Sequence, residues 1–180
     1  MVRSLRLLNF RNYAELELQL EAGLQLVTGP NAQGKTNLLE AIAFVCTGRL
    51  LRGLRDVEAI REGAERMEVH AELEPSGTEL GIHLERGSRK RATLNQASLP
   101  RASDLIGRQP IVTFSNTDLP IIREGALHRR LFLDTELSQL YPAYLHHLTV
   151  YRRALDHRNA LLKQDPPADR TLLETWEDQL

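Results

Sequence analysis

The sequence predicts an α/β fold in which an antiparallel β layer precedes a long helical arm. Three observations lead to this prediction. Leucines alternate with polar residues over 5–20 and again within 67–84, a glycine-rich segment joins an apolar run to a helical pattern near residue 35, and apolar residues recur every seven positions from residue 137. Alternation is typical of half-buried strands, whereas spacings of three, four and seven indicate helices.

Composition excludes several classes of protein. The chain has 180 residues, of which 42% are hydrophobic and 26% charged, as in folded globular proteins. No apolar run approaches the roughly 20 residues of a membrane span, and the N-terminus has no signal-peptide pattern. Cys46 is the single cysteine, which excludes an intramolecular disulfide framework and a multi-cysteine zinc site. We therefore expect a reducing, cytoplasmic location.

The first 48 residues indicate three strands and a helix. Two strands are expected on either side of a corner at 9–13, and a third over 24–28. A helix follows directly after the glycine-rich segment and ends at Gly48. Its apolar positions are Leu38, Leu39, Ile42 and Val45.

The middle of the chain predicts an antiparallel meander. The polar, arginine-rich stretch 49–66 is typical of a loop with a short helix. Residues 67–99 alternate around a hairpin at 75–77 and a basic turn at 86–91. The run 110–114 indicates a buried strand, followed by a turn at 116–118.

The C-terminal part is predicted to be helical from Leu127. Two series of residues repeat every seven positions, and a proline pair at 166–167 is expected to end the helix. The members of the two series are Leu137, Tyr144, Tyr151, Arg158 and Tyr141, Leu148, Leu155, Leu162. Pro142 lies near the start, where helices tolerate proline, and a second helical pattern occupies 171–180. We predict two domains: 1–135, containing the glycine-rich segment, and 136–180, the start of the helical arm.

The glycine-rich segment fits the phosphate-binding pattern G-x-x-x-x-G-K-[ST] of P-loop NTPases. Its residues are Gly29, Pro30, Asn31, Ala32, Gln33, Gly34, Lys35 and Thr36. A strand before the segment and a helix after it allow backbone N–H groups and the helix dipole to face anionic oxygens. Lys35 would contact the phosphates of ATP, and the Thr36 hydroxyl would ligate Mg2+. The alternative is a glycine-rich turn that binds nothing.

Hydrolysis also requires a carboxylate for Mg2+ and water, normally at the end of a second buried strand. The best candidate is Asp134, after the apolar run 131–133. The preceding arginines shorten that run, so we favour the start of a helix over a catalytic strand. The chain thus shows a nucleotide site without a convincing hydrolytic carboxylate.

Basic residues outside this motif have two interpretations. The net charge is −1, but residues 85–130 carry nine Arg or Lys against four acidic residues. The basic turn, with Arg86, Arg89, Lys90 and Arg91, is either a contact for DNA phosphates or a solvated loop. For Arg49, Arg52 and Arg55 we favour a surface location over a contact with DNA or nucleotide.

Two further features have both a functional and a structural interpretation. Tyr13 has the form of an adenine-stacking residue, but a packed corner tyrosine is the commoner outcome. His146 and His147 are neighbours on a predicted helix and therefore face different directions, so we discount zinc there.

Four blocks together resemble the RecF family of bacterial DNA replication and repair ATPases. They are 8–13 (LNFRNY), 34–42 (GKTNLLEAI), a third block within 112–134 that ends in RRLFLD at 129–134, and a fourth within 144–162 that ends in RNALL at 158–162. The third block matches the pattern RR-x-FLD. The resemblance extends to about residue 163. It implies an ABC-type ATPase head related to SMC and Rad50 proteins, binding ATP and Mg2+ through Gly29–Thr36.

The resemblance also implies partners. In this family two heads dimerise around ATP and bind DNA that is single-stranded or forms single-strand/double-strand junctions, in gap repair and the SOS response. RecR- and RecO-type mediators act with them, and turnover of ATP is slow.

The chain departs from the family pattern at three places. Ala32 replaces a usual glycine, which is tolerable unless the position needs positive φ. Asn116 and Thr117 replace the usual Pro-Glu before Asp118, in the place of the ABC Q-loop. The signature and Walker B motifs, which lie beyond the helical arm in the family, are absent. We therefore expect the N-terminal part of a longer protein or a truncated reading frame. The alternatives are a nucleotide-binding half-head without hydrolysis and, less favoured, the ATPase subunit of a transporter.

Overall fold

The computed structural model describes residues 1–51, 55–115, 118–163 and 175–176. The chain divides into two compact units, Met1–Glu124 and Gly125–Leu180. Residue 135, where we placed a domain boundary, lies inside the helix Ala126–Leu140. The assignment of the two parts as head and arm stays a prediction.

The first unit contains a six-stranded antiparallel sheet in the order β2-β1-β3-β4-β5-β6. The strands are β1 (Val2–Phe10), β2 (Tyr13–Gln19), β3 (Arg66–Leu73), β4 (Thr78–Glu85), β5 (Arg91–Leu94) and β6 (Ala97–Ser98). The predicted first hairpin and the meander over 67–99 are confirmed. The predicted short helix in 49–66 is a 3-10 helix over Asp56–Ala59.

The sheet has one apolar and one polar face because its side chains alternate. Leu5 pairs with Leu18 on one side and Ala71 on the other, and Val69 pairs with Leu7 and Ile82. These residues belong to the buried core, apart from the partly buried Leu18. The opposite face carries charged and polar side chains, among them Glu68, His70 and His83.

The helix α1 (Lys35–Thr47) packs against β1, β3 and β4. Phe44 is fully buried, and its ring lies 6.1 Å from that of Phe10 on the sheet. Burial of each such ring contributes about 1.5–3 kcal/mol. Gly48 ends the helix at φ 68°, as predicted. Cys46 is buried on α1, and burial raises the pKa of its thiol to about 12.

The prediction of two further strands, at 24–28 and 110–114, is wrong. Residues 24–28 and 110–114 have no regular secondary structure. Most of their apolar side chains are exposed, with Leu24 at 96% and Phe114 at 95%, whereas Ile111 packs partly buried against the core. A strand requires a neighbouring strand to bond its backbone groups, and the six-stranded sheet includes neither segment.

The short helix α2 (Leu119–Arg123) closes the first unit, and the second contains α3 (Ala126–Leu140) and α4 (Pro142–Leu162). The part of the chain that was predicted to be helical from Leu127 therefore forms two helices that are separated at Tyr141. Pro142 occupies the first turn of the second one, α4. The predicted proline terminator at 166–167 lies outside the described residues, as does most of the pattern at 171–180. Within the latter, the Trp176 ring stacks on His157 at 4.4 Å.

Asp134 belongs to α3, so the catalytic-strand interpretation of 131–134 is wrong and the favoured helical one is confirmed. Its carboxylate is buried and accepts hydrogen bonds from Tyr144 Oη at 2.6 Å and Arg152 Nη2 at 2.7 Å. The hydrogen bond to Asp134 raises the pKa of Tyr144. Asp134 thus joins α3 to α4. In the part of the chain described, no helix has the length and apolarity needed to span a membrane.

Candidate nucleotide-binding site

The loop before α1 has the backbone shape that its glycines permit. Gly29 and Gly34 have φ values of 146° and 100°, which glycine adopts at little cost. Ala32 has φ 63°, so the position where an alanine replaces the usual glycine does require a left-handed conformation. Such a conformation costs a residue with a Cβ about 1 kcal/mol.

Lys35 places its charge inside the loop. Its Nζ donates hydrogen bonds to the carbonyl oxygens of Gly29 at 2.7 Å and Pro30 at 2.5 Å. Thr36 lies exposed in the first turn of α1. An ammonium group, a hydroxyl and the N-terminus of a helix therefore come together at one loop. This combination favours an anionic ligand with several oxygens.

The β1–β2 corner supports the loop. Asn12 donates from Nδ2 to the Gln33 carbonyl at 3.3 Å and accepts from Asn37 Nδ2 at 2.8 Å. A Cβ on Gly34 would lie only 2.6 Å from Asn12 Nδ2, so this close approach requires glycine. Tyr13 donates from its hydroxyl to the Gly34 carbonyl at 3.2 Å and packs against the core. Tyr13 is therefore a packed corner residue, as favoured from the sequence.

Arg11 and Glu40 form a second link between the corner and α1. Arg11 Nε and Nη2 donate to the two carboxylate oxygens of Glu40 at 3.0 and 3.1 Å, and Glu40 is fully buried. Arg11 Nη1 also donates to the Glu58 carbonyl at 2.9 Å. This pair was not predicted from the sequence. The sequence did contain one indication of it: Glu40 is an acidic residue among the apolar positions of α1.

A cleft of about 1050 Å3 lies beside the loop. Asn12 and Asn37 connect it with the loop, and the segment 55–62 supplies much of its remaining lining. Four arginines line the cleft: Arg11, Arg55, Arg61 and Arg86. Among the arginines that we placed on the surface, Arg55 thus lines this cleft, Arg49 is exposed, and Arg52 lies outside the described residues. The proposed Q-loop position, Asn116-Thr117, also lies outside them.

The basic turn divides into residues with different environments. Lys90 is engaged internally: its Nζ donates to the Gly48 carbonyl, pairs with Asp56 at 2.8 Å and lies 5.2 Å from the centre of the Phe44 ring. Arg86 donates to the Ala64 carbonyl at 2.8 Å. Arg89 and Arg91 are exposed. A DNA contact by this turn stays a prediction, for which Arg89 and Arg91 are better placed than Arg86, whose Nε is bonded to the Ala64 carbonyl.

Sequence comparisons identify the class of protein that this fold and loop define. Residues 4–135 match the AAA domain family, so the chain belongs to that family. Its curated relatives are DNA replication and repair proteins RecF, to which the chain is homologous. It is 41% identical to RecF of Symbiobacterium thermophilum over 179 residues and 43% identical to RecF of Synechococcus sp. (strain JA-3-3Ab) over 184. These alignments cover 98% and 99% of the chain, but it spans about half the length of the relatives, 48% in each case.

Solved structures agree with the sequence relatives. The structure of the recombination mediator protein RecF-ATP in the RecFOR pathway has a TM-score of 0.93 and 30% identity, covering 99% of this chain and 49% of that one. A second structure comes from work on the ATP-driven dimerization and DNA-stimulated activation of SMC ATPases. It has a TM-score of 0.59 at 20% identity, and the match covers 74% of this chain and 98% of that one. The SMC likeness concerns the fold alone. The predicted α/β P-loop fold is confirmed.

Proposed function

We propose that this chain is the ATP-binding part of a RecF-type DNA repair and replication protein in which ATP controls association of two heads. The observation that carries the proposal is the loop Gly29–Thr36, with Lys35 held within it and supported by Asn12 and Tyr13. A similar chain has been solved as RecF-ATP, which supports ATP as the nucleotide.

Within this site, the loop backbone and Lys35 bind the phosphates, and Thr36 supplies a hydroxyl ligand for Mg2+. To reach the phosphates, Lys35 Nζ exchanges its hydrogen bonds to the Gly29 and Pro30 carbonyls for bonds to phosphate oxygens. Because the cleft adjoins the loop at Asn12 and Asn37, we assign it to the ribose and base.

The wider role follows from the relatives. We place the full protein in recombinational repair and the SOS response in the cytoplasm, binding single-stranded or gapped DNA. RecO- and RecR-type mediators are its proposed partners, as the RecFOR description of the solved relative suggests. An ATP-dependent homodimer is supported by the SMC-like fold.

A nucleotide-binding half-head without hydrolysis is a second candidate. Asp134, our best candidate for a hydrolytic carboxylate, is bound by Tyr144 and Arg152 on α4. The described residues therefore support binding of ATP better than its hydrolysis. A hydrolysis assay on the purified chain separates the candidates: ATP binding with no turnover supports the half-head, and turnover lost in Lys35→Ala supports the complete ATPase.

Titration with a fluorescent ATP analogue tests the nucleotide site. We expect Lys35→Ala to weaken binding at least tenfold, because a cation within the loop is lost. Lys163→Ala is the matched control, since it removes a lysine from the end of α4 and leaves the loop intact. Equal affinities for Lys35→Ala and the unaltered chain would refute the site.

Light scattering with and without ATP tests the head-association part separately. A doubling of mass on addition of ATP, absent in Lys35→Ala, supports it. Tight binding of ATP without any change in mass would leave the nucleotide site standing and refute the switch.

A further inference from the structure

The polar face of the sheet carries a group of side chains that the nucleotide site does not use. Glu68 and His70 lie two residues apart on β3, and His83 lies directly opposite Glu68 on β4. Because side chains alternate along a strand, all three project from the same face. They are partly buried, with side-chain exposures of 31%, 19% and 25% in that order.

One carboxylate oxygen lies between the two imidazoles. Glu68 Oε2 is 3.6 Å from His70 Nε2 and 3.9 Å from His83 Nδ1. The three atoms all lie within 4.8 Å of one another. For Zn–N and Zn–O bonds of about 2.0–2.1 Å, tetrahedral ligand atoms are about 3.3 Å apart. To reach that spacing, the Glu68 oxygen would move by about 0.3–0.6 Å relative to each imidazole nitrogen, and the two nitrogens by up to about 1.5 Å relative to each other.

The other nitrogen of each imidazole already has a partner. His70 Nδ1 lies 2.9 Å from Glu79 Oε1, and His83 Nε2 lies 3.4 Å from Thr93 Oγ1. A carboxylate only accepts hydrogen bonds, so it holds the His70 proton on Nδ1 and leaves the Nε2 lone pair directed at the cluster. A second hydrogen bond of this kind orients the histidine ligands of metal sites and raises their basicity.

The sheet leaves room for this arrangement at one residue. Gly81 lies opposite His70 on β3 and Thr93 on β5. A Cβ at Gly81 would lie 2.2 Å from Thr93 Oγ1 and 3.1 Å from His70 Nδ1. The side chains of His70 and Thr93 therefore occupy the space that a side chain at position 81 would fill. The adjoining cavity of about 280 Å3 has space for water to complete a coordination shell.

The surrounding charges are mixed. Glu79 adds a carboxylate next to His70, whereas Arg91 is a cation on the wall of the same cavity. Arg66 Nε lies 3.9 Å from Glu68 Oε1, the oxygen that does not face the imidazoles.

We propose that Glu68, His70 and His83 form a binding site for a divalent transition-metal ion of the Zn2+ class, with Glu79 and Thr93 orienting the two imidazoles. Two imidazoles and a carboxylate suit Zn2+ better than Mg2+ or Ca2+, which prefer oxygen ligands alone. The ion joins β3 to β4 on the face opposite α1, so its binding stabilises the meander independently of nucleotide.

Calorimetric titration of the nucleotide-free full chain with ZnCl2 tests the proposal, with the metal content after dialysis as a second measurement. We expect one Zn2+ per chain and a rise in Tm of roughly 5 °C at a 100-fold excess over Kd. His70→Gln and His83→Gln are expected to lose binding, and Glu79→Gln to weaken it about 10–100-fold. His147→Gln is the matched control, since it removes a histidine from α4, and it is expected to bind as the unaltered chain does.

The outcomes separate clearly. Loss of Zn2+ binding in both histidine variants, with Lys35→Ala and His147→Gln unaffected, supports the site. If either histidine variant fails to fold, Glu68→Gln provides the same test, because it retains the size of the side chain. Binding of equal affinity in His83→Gln and in the unaltered chain would refute the site, and so would a failure of the unaltered chain to bind Zn2+ at micromolar concentrations.

Discussion

Arg11 and Glu40, separated by 29 positions in the sequence, form a bidentate ion pair that joins the β1–β2 corner to α1. Glu40 is fully buried, and the Arg11 side chain is only 14% exposed. A carboxylate in such a place is tolerated only because a cation and its hydrogen bonds compensate for lost hydration. The pair therefore fixes the corner, and with it Asn12 and Tyr13, relative to the P-loop.

Replacement of Arg11 by Met is expected to lower the free energy of unfolding by about 3–5 kcal/mol, because it removes the Arg11 cation from the buried Glu40 carboxylate. Urea denaturation measures the change. Arg3→Met is the matched control, since the Arg3–Glu74 pair is 48% exposed on both sides and 3.7 Å long. That control should change stability by less than about 1 kcal/mol. Similar losses in the two variants would contradict this account of Arg11.

Replacement of Ala32 by Gly is expected to raise stability by about 0.5–1 kcal/mol. Ala32 has φ 63°, and glycine removes the Cβ strain at the cost of a more flexible unfolded chain. Thermal unfolding measures the change, and ATP affinity is expected to stay the same or rise. Ala43→Gly in α1 has the opposite expected sign, because its backbone is helical and its methyl group is buried. A lower Tm for Ala32→Gly would refute the strain.

The Cys46 thiol is expected to be almost unreactive in the folded protein at pH 8. Burial raises its pKa to about 12, so the nucleophilic thiolate is scarce and the reagent has no access. Absorbance after addition of a disulfide reagent measures the reaction, with the guanidinium-unfolded chain as the control for complete labelling. Rapid labelling of the folded chain would show that α1 separates from the sheet.

Replacement of Asp134 by Asn is expected to destabilise the helical unit by about 1.5–3 kcal/mol and to leave ATP affinity unchanged. The carboxylate accepts hydrogen bonds from Tyr144 and Arg152, and bonds to charged groups are worth about that much. Circular dichroism melting and analogue titration measure the two quantities. Tyr144→Phe should give a smaller loss of the same kind. Weaker ATP binding with unchanged stability would restore Asp134 as a candidate carboxylate for Mg2+ at the nucleotide site.

Local patterns were predictable from the sequence, and partnerships between distant residues were not. The loop, α1 and its end at Gly48 follow from residues a few positions apart. The segment 24–28 has the composition of a strand, but a strand also depends on a neighbour that its own residues do not encode. The seven-residue repeat continues through Tyr141, but the helix α3 ends there and Pro142 begins a new helix, α4.

The same limit applies to the sites. The pattern located Lys35 and Thr36, but the contact between Asn12 and Gly34 depends on how the corner packs. Likewise, Glu68 and His83 are 15 positions apart, and only the register of β3 and β4 makes them neighbours.

Lys90 connects the basic turn to α1, the helix that follows the candidate nucleotide-binding loop. It is joined to the Gly48 carbonyl at the C-terminal end of α1, and the first residue of that helix is Lys35. An axial displacement of α1 must therefore either carry the turn with it or break the contacts of Lys90 with Gly48, Asp56 and Phe44. Lys35, the candidate phosphate-binding residue, and the basic turn thus lie at opposite ends of one helix.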